Sequence, residues 1–500
     1  MAHTCAGEDL DAFRPLTCSF EESRVVDGHT EYVIRISVPH RPKLFNEFRK
    51  RYNHFVDLND RLSVYRPLNP LPPKTTFGNK EKILGERQVL LQQYLQSVLD
   101  DLFFLSSKPV KDFLYGNICY YREVTGYAVQ LLAIYLRNSK HYTIEEEYRK
   151  IGWRINKEFC GVRYGVQKRK VSHIASWTYY GKKQVLSTAD VGGFLKALSG
   201  LQHPLFAPLS FAEASETGIA VVRALAVQGC LLDEIKDAGL DCSFLARTHT
   251  TGNRPPGLVL SRISFYSRLI LEALKFLHDS DIPYGNLTSR NVLVTENGIQ
   301  ITELESGVCG LPSFYWPWIV QFRRINTFEA VDVYCFGHVL YEMVFGVSLD
   351  SPSCEVFPPE CPPLIRAVLD SILTPEACKI GMPTVAMLLT QPFFNSVLSS
   401  YPEAAMRMPV KLHEAVRAAK VEMEESYSAE QNQYHEYVKG LRVSSYKSSA
   451  DEKQKRRLQS LKSQLSSADV PERGSDERTF APGTNDEEAS SSTSTSVQSF

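Results

Sequence analysis

The chain has 500 residues, 43% hydrophobic and 23% charged, a globular balance with length for roughly two to four domains. A net charge of −1 excludes a whole-chain polyanion binder, so nucleic acid is not an expected partner and any anion site is a local basic patch. The 11 cysteines include no C-x-x-C pair, which disfavours a zinc module or a disulfide framework and fits reduced cytosolic thiols. No signal-peptide core and no apolar run near the ~20 residues of a membrane span is visible. The greasiest stretch, residues 331–349, is broken by Asp332, His338 and Glu342.

Residues 1–18 read as a flexible N-terminus. A strand follows in E-Y-V-I-R-I-S-V, where Tyr32, Ile34, Ile36 and Val38 share one face at period two. A basic run comes next (Arg41, Lys43, Arg49, Lys50, Arg51), then a helical stripe of Phe55, Leu58 and Leu62. The proline turn N-P-L-P-P-K leads to a second helix carrying Leu91, Tyr94, Leu95 and Val98. This region holds the parts that a phosphoinositide headgroup requires. Arginine grips a phosphate with two parallel bonds, lysine supplies a point charge for another, and an aromatic face carries the inositol ring. A lone basic run is more often a plain solvated face; here the spacing argues for a site.

K-R-Y-N-H-F at residues 50–55, P-L-P-P-K at 70–74 and the E-R of Glu86 and Arg87 resemble the PX (phox homology) domain over residues 19–122. The resemblance implies a three-stranded antiparallel sheet plus helices that binds phosphatidylinositol 3-phosphate. In that family the arginine of the R-Y pair binds the 3-phosphate and the tyrosine packs under the inositol. The lysine after the proline loop takes the 1-phosphate, and a later arginine holds the 4- and 5-hydroxyls. Arg51, Tyr52, Lys74 and Arg87 occupy these positions. Asn53 replaces the commoner serine, a small polar exchange. Phe77, just past the proline loop, is a candidate for insertion into lipid, with a core role as the equal alternative.

From residue 123 to 400 the pattern is mixed and then strongly helical, which suggests two unequal lobes. Tyr266, Leu269, Ile270, Ala273, Leu274 and Leu277 mark one buried helical face, and Val333, Phe336, Leu340 and Met343 another. L-Q-H-P at 201–204, G-C-L-L-D-E-I at 229–235, L-K-F-L-H at 274–278, D-V-Y-C-F-G-H-V-L-Y-E-M at 332–343 and P-T-V-A-M-L-L-T-Q-P-F-F at 383–394 resemble a protein kinase. The implied fold is bilobal, but the chemistry is degraded. Against the catalytic loop H-R-D-L-x-x-x-N the chain reads Y-G-N-L-T-S-R-N, with Asn286 in place of the aspartate base and only Leu287 and Asn291 kept. A neutral amide cannot accept the substrate proton. The metal motif D-F-G becomes E-L-E, so Glu303 stands for the magnesium-binding aspartate with a longer side chain. No G-x-G-x-x-G occurs; the region offers G-W-R-I-N-K from Gly152, too bulky for close approach to phosphates. On the third strand I-A-S-W puts Trp177 in the place of the nucleotide-orienting lysine, with Lys170, Lys182 and Lys183 as nearby alternatives. No acidic residue between Asp190 and His203 can partner such a lysine. Glu329 and Asp332 match scaffold residues of the kinase fold, although the usual arginine partner of Glu329 is missing from G-M-P-T at 381–384.

Residues 401–443 read as a charged helical segment and 444–500, rich in Ser, Thr, Lys, Asp and Glu, as a disordered tail. The order of a PX-like region and a degenerate kinase-like region, with Y-G-N-L-T-S-R-N and G-L-P-S-F-Y, resembles the PX domain-containing kinase-like family. The resemblance implies a phosphoinositide-binding pseudokinase scaffold. It would be cytoplasmic and peripheral on endosomal and plasma membranes, acting in membrane protein traffic and modulation of Na,K-ATPase. The implied partners are membranes bearing phosphatidylinositol 3-phosphate and a membrane protein such as a Na,K-ATPase subunit or receptor cargo. No cofactor is required, no metal site is expected, and binding of ATP and magnesium is doubted. Actin binding, found in the family, is not carried over, because Q-S-L-K-S-Q-L at 459–465 is too weak a match. Two alternatives stand beside this reading: a weakly active serine/threonine kinase using Asn291 and Glu303 for metal, and a lipid-independent interaction scaffold.

Overall fold

The computed structural model describes residues 16–466, apart from 27, 39–40, 64–67, 74–79, 102–103, 105–107, 116–117, 138–140, 148–156, 166–171, 182, 238–256, 350 and 396–405. The chain divides into two units, residues 1–438 and 439–500. The first unit begins with an antiparallel meander of β1 (Thr17–Val26), β2 (His29–Val38) and β3 (Arg41–Arg51). Helices α1 (Tyr52–Ser63), α2 (Lys80–Asp100) and α3 (Lys108–Tyr115) follow. The period-two face of β2 turns inward: Tyr32, Ile34 and Ile36 join Phe55, Leu58, Leu62, Leu91, Tyr94, Leu95 and Val98 in one core. The sequence stripes thus identify the core of the PX-like region.

Helix α4 (Ile118–Arg137) runs across the boundary expected at 122/123. A five-stranded sheet comes next, in the order β4 (Tyr142–Glu147), β5 (Lys157–Tyr164), β6 (His173–Tyr179), β8 (Gly218–Ala224), β7 (Phe211–Ala214). All its pairings are antiparallel. One face of this sheet, built from Cys160, Val162, Ala175, Trp177, Ala220 and Val222, packs on Ala128, Leu132 and Leu136 of α4. The other face looks toward α5 (Thr188–Ser199) and the larger lobe, sending Ile219 and Val221 into the main core. Ser187 caps α5 by accepting the Asp190 N–H at 3.2 Å, and every buried residue of α5 is apolar.

The larger lobe contains α6 (Leu231–Ile235), α7 (Leu260–Asp279), the hairpin β9 (Val292–Thr295) and β10 (Gly298–Ile301), α8 (Trp316–Ile319) and α9 (Phe328–Phe345). It continues with α10 (Pro363–Leu373), α11 (Pro375–Ile380) and α12 (Val385–Leu389). The expected stripe of α7 is buried in full. Helix α9 is buried on nearly all sides, well beyond its four-residue stripe, because α7 and α10 flank it and α13 caps its start. Gly337 is required at one crossing: a Cβ there would lie 2.6 Å from Ile372 of α10.

The last helix, α13 (Val410–Ser466), extends past residue 443, so disorder from Ser444 is corrected for 444–466. The sequence there favours helix, with Asp451 four residues before Lys455 and Glu452 four before Arg456. The expected flexible N-terminus is corrected at its end: Thr17 and Cys18 belong to β1, and Leu16 and Cys18 are buried in the core. Residues 1–15 and 467–500 lie outside the described residues. Among the described residues no helix is long and apolar enough to cross a membrane.

Candidate functional site

The PX-like region brings together three of its four expected lipid-binding residues. Arg51 ends β3 and Tyr52 opens α1, so one strand-to-helix junction positions both. The Tyr52 hydroxyl donates to the Pro72 carbonyl at 2.6 Å, tying the junction to the proline turn. Arg87 reaches the same place from α2: its guanidinium lies 5.4 Å from the Tyr52 ring centroid, and Nη2 is 3.5 Å from the Pro73 carbonyl. Glu31 accepts from Arg51 Nε at 2.9 Å, which orients a side chain that remains 40% exposed. The Arg51 N–H donates to His54 Nδ1 at 3.0 Å; burial, then Lys50 and Arg51, lower the imidazole's pKa and favour that neutral acceptor form. Lys74 and Phe77 lie outside the described residues.

Between the lobes of the kinase-like region the main feature is a buried four-charge cluster. Lys157, the first residue of β5, pairs with Glu303 and lies 3.1 Å from Glu305. Arg223 of β8 donates to Glu305 at 2.5 Å and lies 3.6 Å from Glu303. Burial would raise the Glu305 carboxyl, but Arg223 and Lys157 hold it well below the usual range. Burial lowers the Lys157 ammonium against the pull of Glu305. Glu303 has φ 67, a left-handed conformation that costs an L side chain about 1–2 kcal/mol, and the two cations hold it there.

Trp177 must be corrected. On β6 it points to the opposite face, 5.6 Å from the Tyr135 ring, and takes no part in the cleft. The pleat instead puts Thr178 level with Lys157 on the cleft face. The lysine that enters the cleft is Lys157, the last letter of the G-W-R-I-N-K segment; residues 152–156 of that segment lie outside the described residues. Arg223 and Glu305 were also missed as members of the site. Their signal was a cation in an apolar strand, G-I-A-V-V-R-A, and a second acid in E-L-E.

The catalytic-loop positions are held by local bonds. Asn286 Nδ2 donates to Ser306 Oγ at 3.1 Å, and Asn291 Nδ2 to the Asn286 carbonyl at 2.9 Å. Tyr284 is buried and donates to the Thr302 carbonyl at 3.1 Å. Asp332 accepts the Gly285 N–H at 2.9 Å and sits 3.0 Å from His278 Nε2. Burial raises its carboxyl against both partners. Asn286, Thr288, Arg290, Asn291, Glu303 and Ser306 line a narrow cavity of about 30 Å³, enough to admit water. Among the described residues no three His, Cys, Asp or Glu side chains are grouped to hold a metal ion.

Glu329 finds its partner on α13, where Lys420 replaces the missing arginine. Burial would raise the Glu329 carboxyl and Lys420 lowers it. The helix expected to be merely charged has an inner stripe of Leu412, Val416, Ala419, Met423 and Tyr427. It lies along residues 316–329. Glu424 accepts the Phe328 N–H at 2.9 Å, and Gln431 Nε2 bonds the carbonyls of Phe322 at 2.9 Å and Ile325 at 2.8 Å.

The family model of the PX domain matches residues 39–117. The chain is 38% identical over 439 residues to the PX domain-containing protein kinase-like protein of Mus musculus, spanning 87% of this chain and 75% of that protein. It is 35% identical over 163 residues to the Slowpoke-binding protein of Drosophila melanogaster, covering 32% and 31% of the two chains. It is 28% identical over 275 residues to a probable inactive serine/threonine-protein kinase, slob2, of Dictyostelium discoideum, covering 53% and 46%. On the strength of the match that spans most of both proteins, this chain belongs to the PX domain-containing protein kinase-like family.

Proposed function

We propose that this chain is a non-catalytic adaptor that reads phosphatidylinositol 3-phosphate and holds a membrane protein against the lipid surface. The observation that carries the non-catalytic part is the buried cluster of Lys157, Arg223, Glu303 and Glu305. The side chain that would bind magnesium is neutralised by two cations of the chain itself. Asn286 lacks a basic carboxylate, and positioning supplies most of the catalysis in phosphoryl transfer. The same cluster weighs against a residual kinase using Glu303 and Asn291 for metal. No cofactor is needed for the adaptor role.

Lipid reading is supported by the meeting of Tyr52 and Arg87 at the proline turn that leads to Lys74, with Arg51 beside Tyr52 at the strand-to-helix junction. Arg51 takes the 3-phosphate, Tyr52 the inositol ring, Arg87 the ring hydroxyls and Lys74 the 1-phosphate; Phe77 enters the lipid. The protein then sits peripherally on the cytoplasmic face of endosomal and plasma membranes. Its partner is a membrane protein, with a Na,K-ATPase subunit or a receptor cargo as the candidates that the family resemblance implies. A relative named for binding Slowpoke supports a protein-binding role. The test is co-sedimentation with liposomes with and without phosphatidylinositol 3-phosphate, beside a phosphorylation assay. Lipid-selective pelleting without phosphate incorporation is expected. Equal pelleting with both liposomes would leave a lipid-independent scaffold, and magnesium-dependent incorporation would establish a kinase.

A further inference from the structure

Lys183, weighed above as a candidate nucleotide-orienting lysine, does different work. It lies in the connection between β6 and α5, on the small lobe, with its side chain 90% buried. Its ammonium is 4.3 Å from the ring centroid of Trp316 and 3.9 Å from that of Tyr427. The Glu430 carboxylate faces it at 3.2 Å and accepts the Trp316 Nε1–H at 2.9 Å. The two rings are 4.4 Å apart at their centroids. Three side chains from two elements therefore build one cation slot: Trp316 from α8 of the larger lobe, and Tyr427 and Glu430 from α13. A desolvated cation over aromatic faces beside a carboxylate is favourable on both counts.

The same junction is tight in its backbone. The Gly181 N–H donates to the Cys309 carbonyl at 2.8 Å, and a Cβ on Gly181 would lie 2.0 Å from the Gly310 carbonyl oxygen. Farther along, Leu412 of α13 would be 3.3 Å from a Cβ on Gly193 of α5, so α13 touches the small lobe at two places.

We propose that α13 is a strap and Lys183 its latch: the small lobe is pinned to the larger one by insertion of Lys183 into the slot that α13 completes. A kinase opens and closes about its hinge to exchange nucleotide; here α13 adds a clasp beside the charge cluster that already bridges the lobes. The device links α13 to the lobe junction. A partner that draws the helix off its face removes Tyr427 and Glu430, and the junction at 181–187 loosens.

The test uses hydrogen exchange with mass spectrometry on the full chain, together with maleimide labelling of Cys309, which is buried at the junction. Lys183→Ala and Glu430→Ala are each expected to speed exchange at residues 181–187 and labelling of Cys309 at least tenfold. Lys183→Arg, which keeps the cation, restores most of the protection. Lys420→Ala, whose contacts are Glu329 and Asp281 in the larger lobe, speeds exchange near 327–332 and leaves 181–187 as in wild type. Lys183→Met keeps the aliphatic stem and removes the charge, and is read in place of Lys183→Ala if that variant does not fold. Unchanged protection of 181–187 and Cys309 in Lys183→Met and Glu430→Ala would overturn the proposal.

Discussion

Replacing Glu305 by leucine tests whether the cluster between the lobes holds the fold. The four side chains carry two positive and two negative charges, and none is more than 10% exposed. Glu305 is fully buried and touches both cations, at 3.1 Å from Lys157 and 2.5 Å from Arg223. Leucine is of similar bulk, so little cavity forms and the loss is electrostatic. It leaves two buried cations facing Glu303 alone. Breaking a buried pair by removing one partner costs about 3–5 kcal/mol, a large part of the ~5–15 kcal/mol by which a folded protein is stable. At about 2 °C per kcal/mol for a large domain, the melting temperature of the kinase-like region falls by about 6–10 °C. The double variant Lys157→Met/Glu305→Leu restores neutrality by leaving Arg223 with Glu303. It is therefore expected to lose less than the sum of the two single changes, by at least ~1 kcal/mol. Denaturant unfolding followed by circular dichroism gives each value. A loss below 1 kcal/mol for Glu305→Leu, or strict additivity in the pair, would refute the reasoning.

Three other outcomes are expected. Arg51→Ala removes one charge-assisted grip of about 1.5–3 kcal/mol and weakens binding to liposomes bearing phosphatidylinositol 3-phosphate ten- to a hundred-fold, read by co-sedimentation. His338 is buried among Tyr315, Trp318 and Tyr334, and burial pushes its imidazole down to about 3. A depressed folded value means stability present above the unfolded pKa near 6.5 and lost as pH falls below it, so at pH 5 the fold is weaker by about 2 kcal/mol. His338→Phe should flatten the melting-temperature profile between pH 7 and 5; an unchanged slope counts against this assignment. Asn286→Asp returns a carboxylate to the catalytic loop but leaves the charge cluster in place, so phosphate incorporation stays at background in a radiolabel assay.

Legibility followed the periodicity of the sequence. Tyr32, Ile34, Ile36 and the stripe of α7 were readable because one face is apolar and the other is not. The degenerate catalytic loop was readable because its spacing is kept while its residue types are changed. Trp177 was misplaced by a single residue, and in a strand one residue turns a side chain to the other face. Lys157 and Arg223 were hidden because burial of a cation depends on partners about 150 and 80 residues away, which no local pattern reveals. The inner face of α13 was masked in the same way: Lys420, Glu430 and Gln431 are buried, but each looks solvent-facing until its partner is known.

The central claim is that this cleft is closed by the chain's own charges and holds no magnesium nucleotide. A thermal-shift titration of the wild-type chain with ATP, with and without magnesium, measures that directly. Ligand at a hundred times its dissociation constant would stabilise the native state by about 2.7 kcal/mol, a shift of several degrees. A flat titration in both series up to millimolar ATP is expected. A saturable rise that requires magnesium and disappears in Glu303→Ala would contradict it.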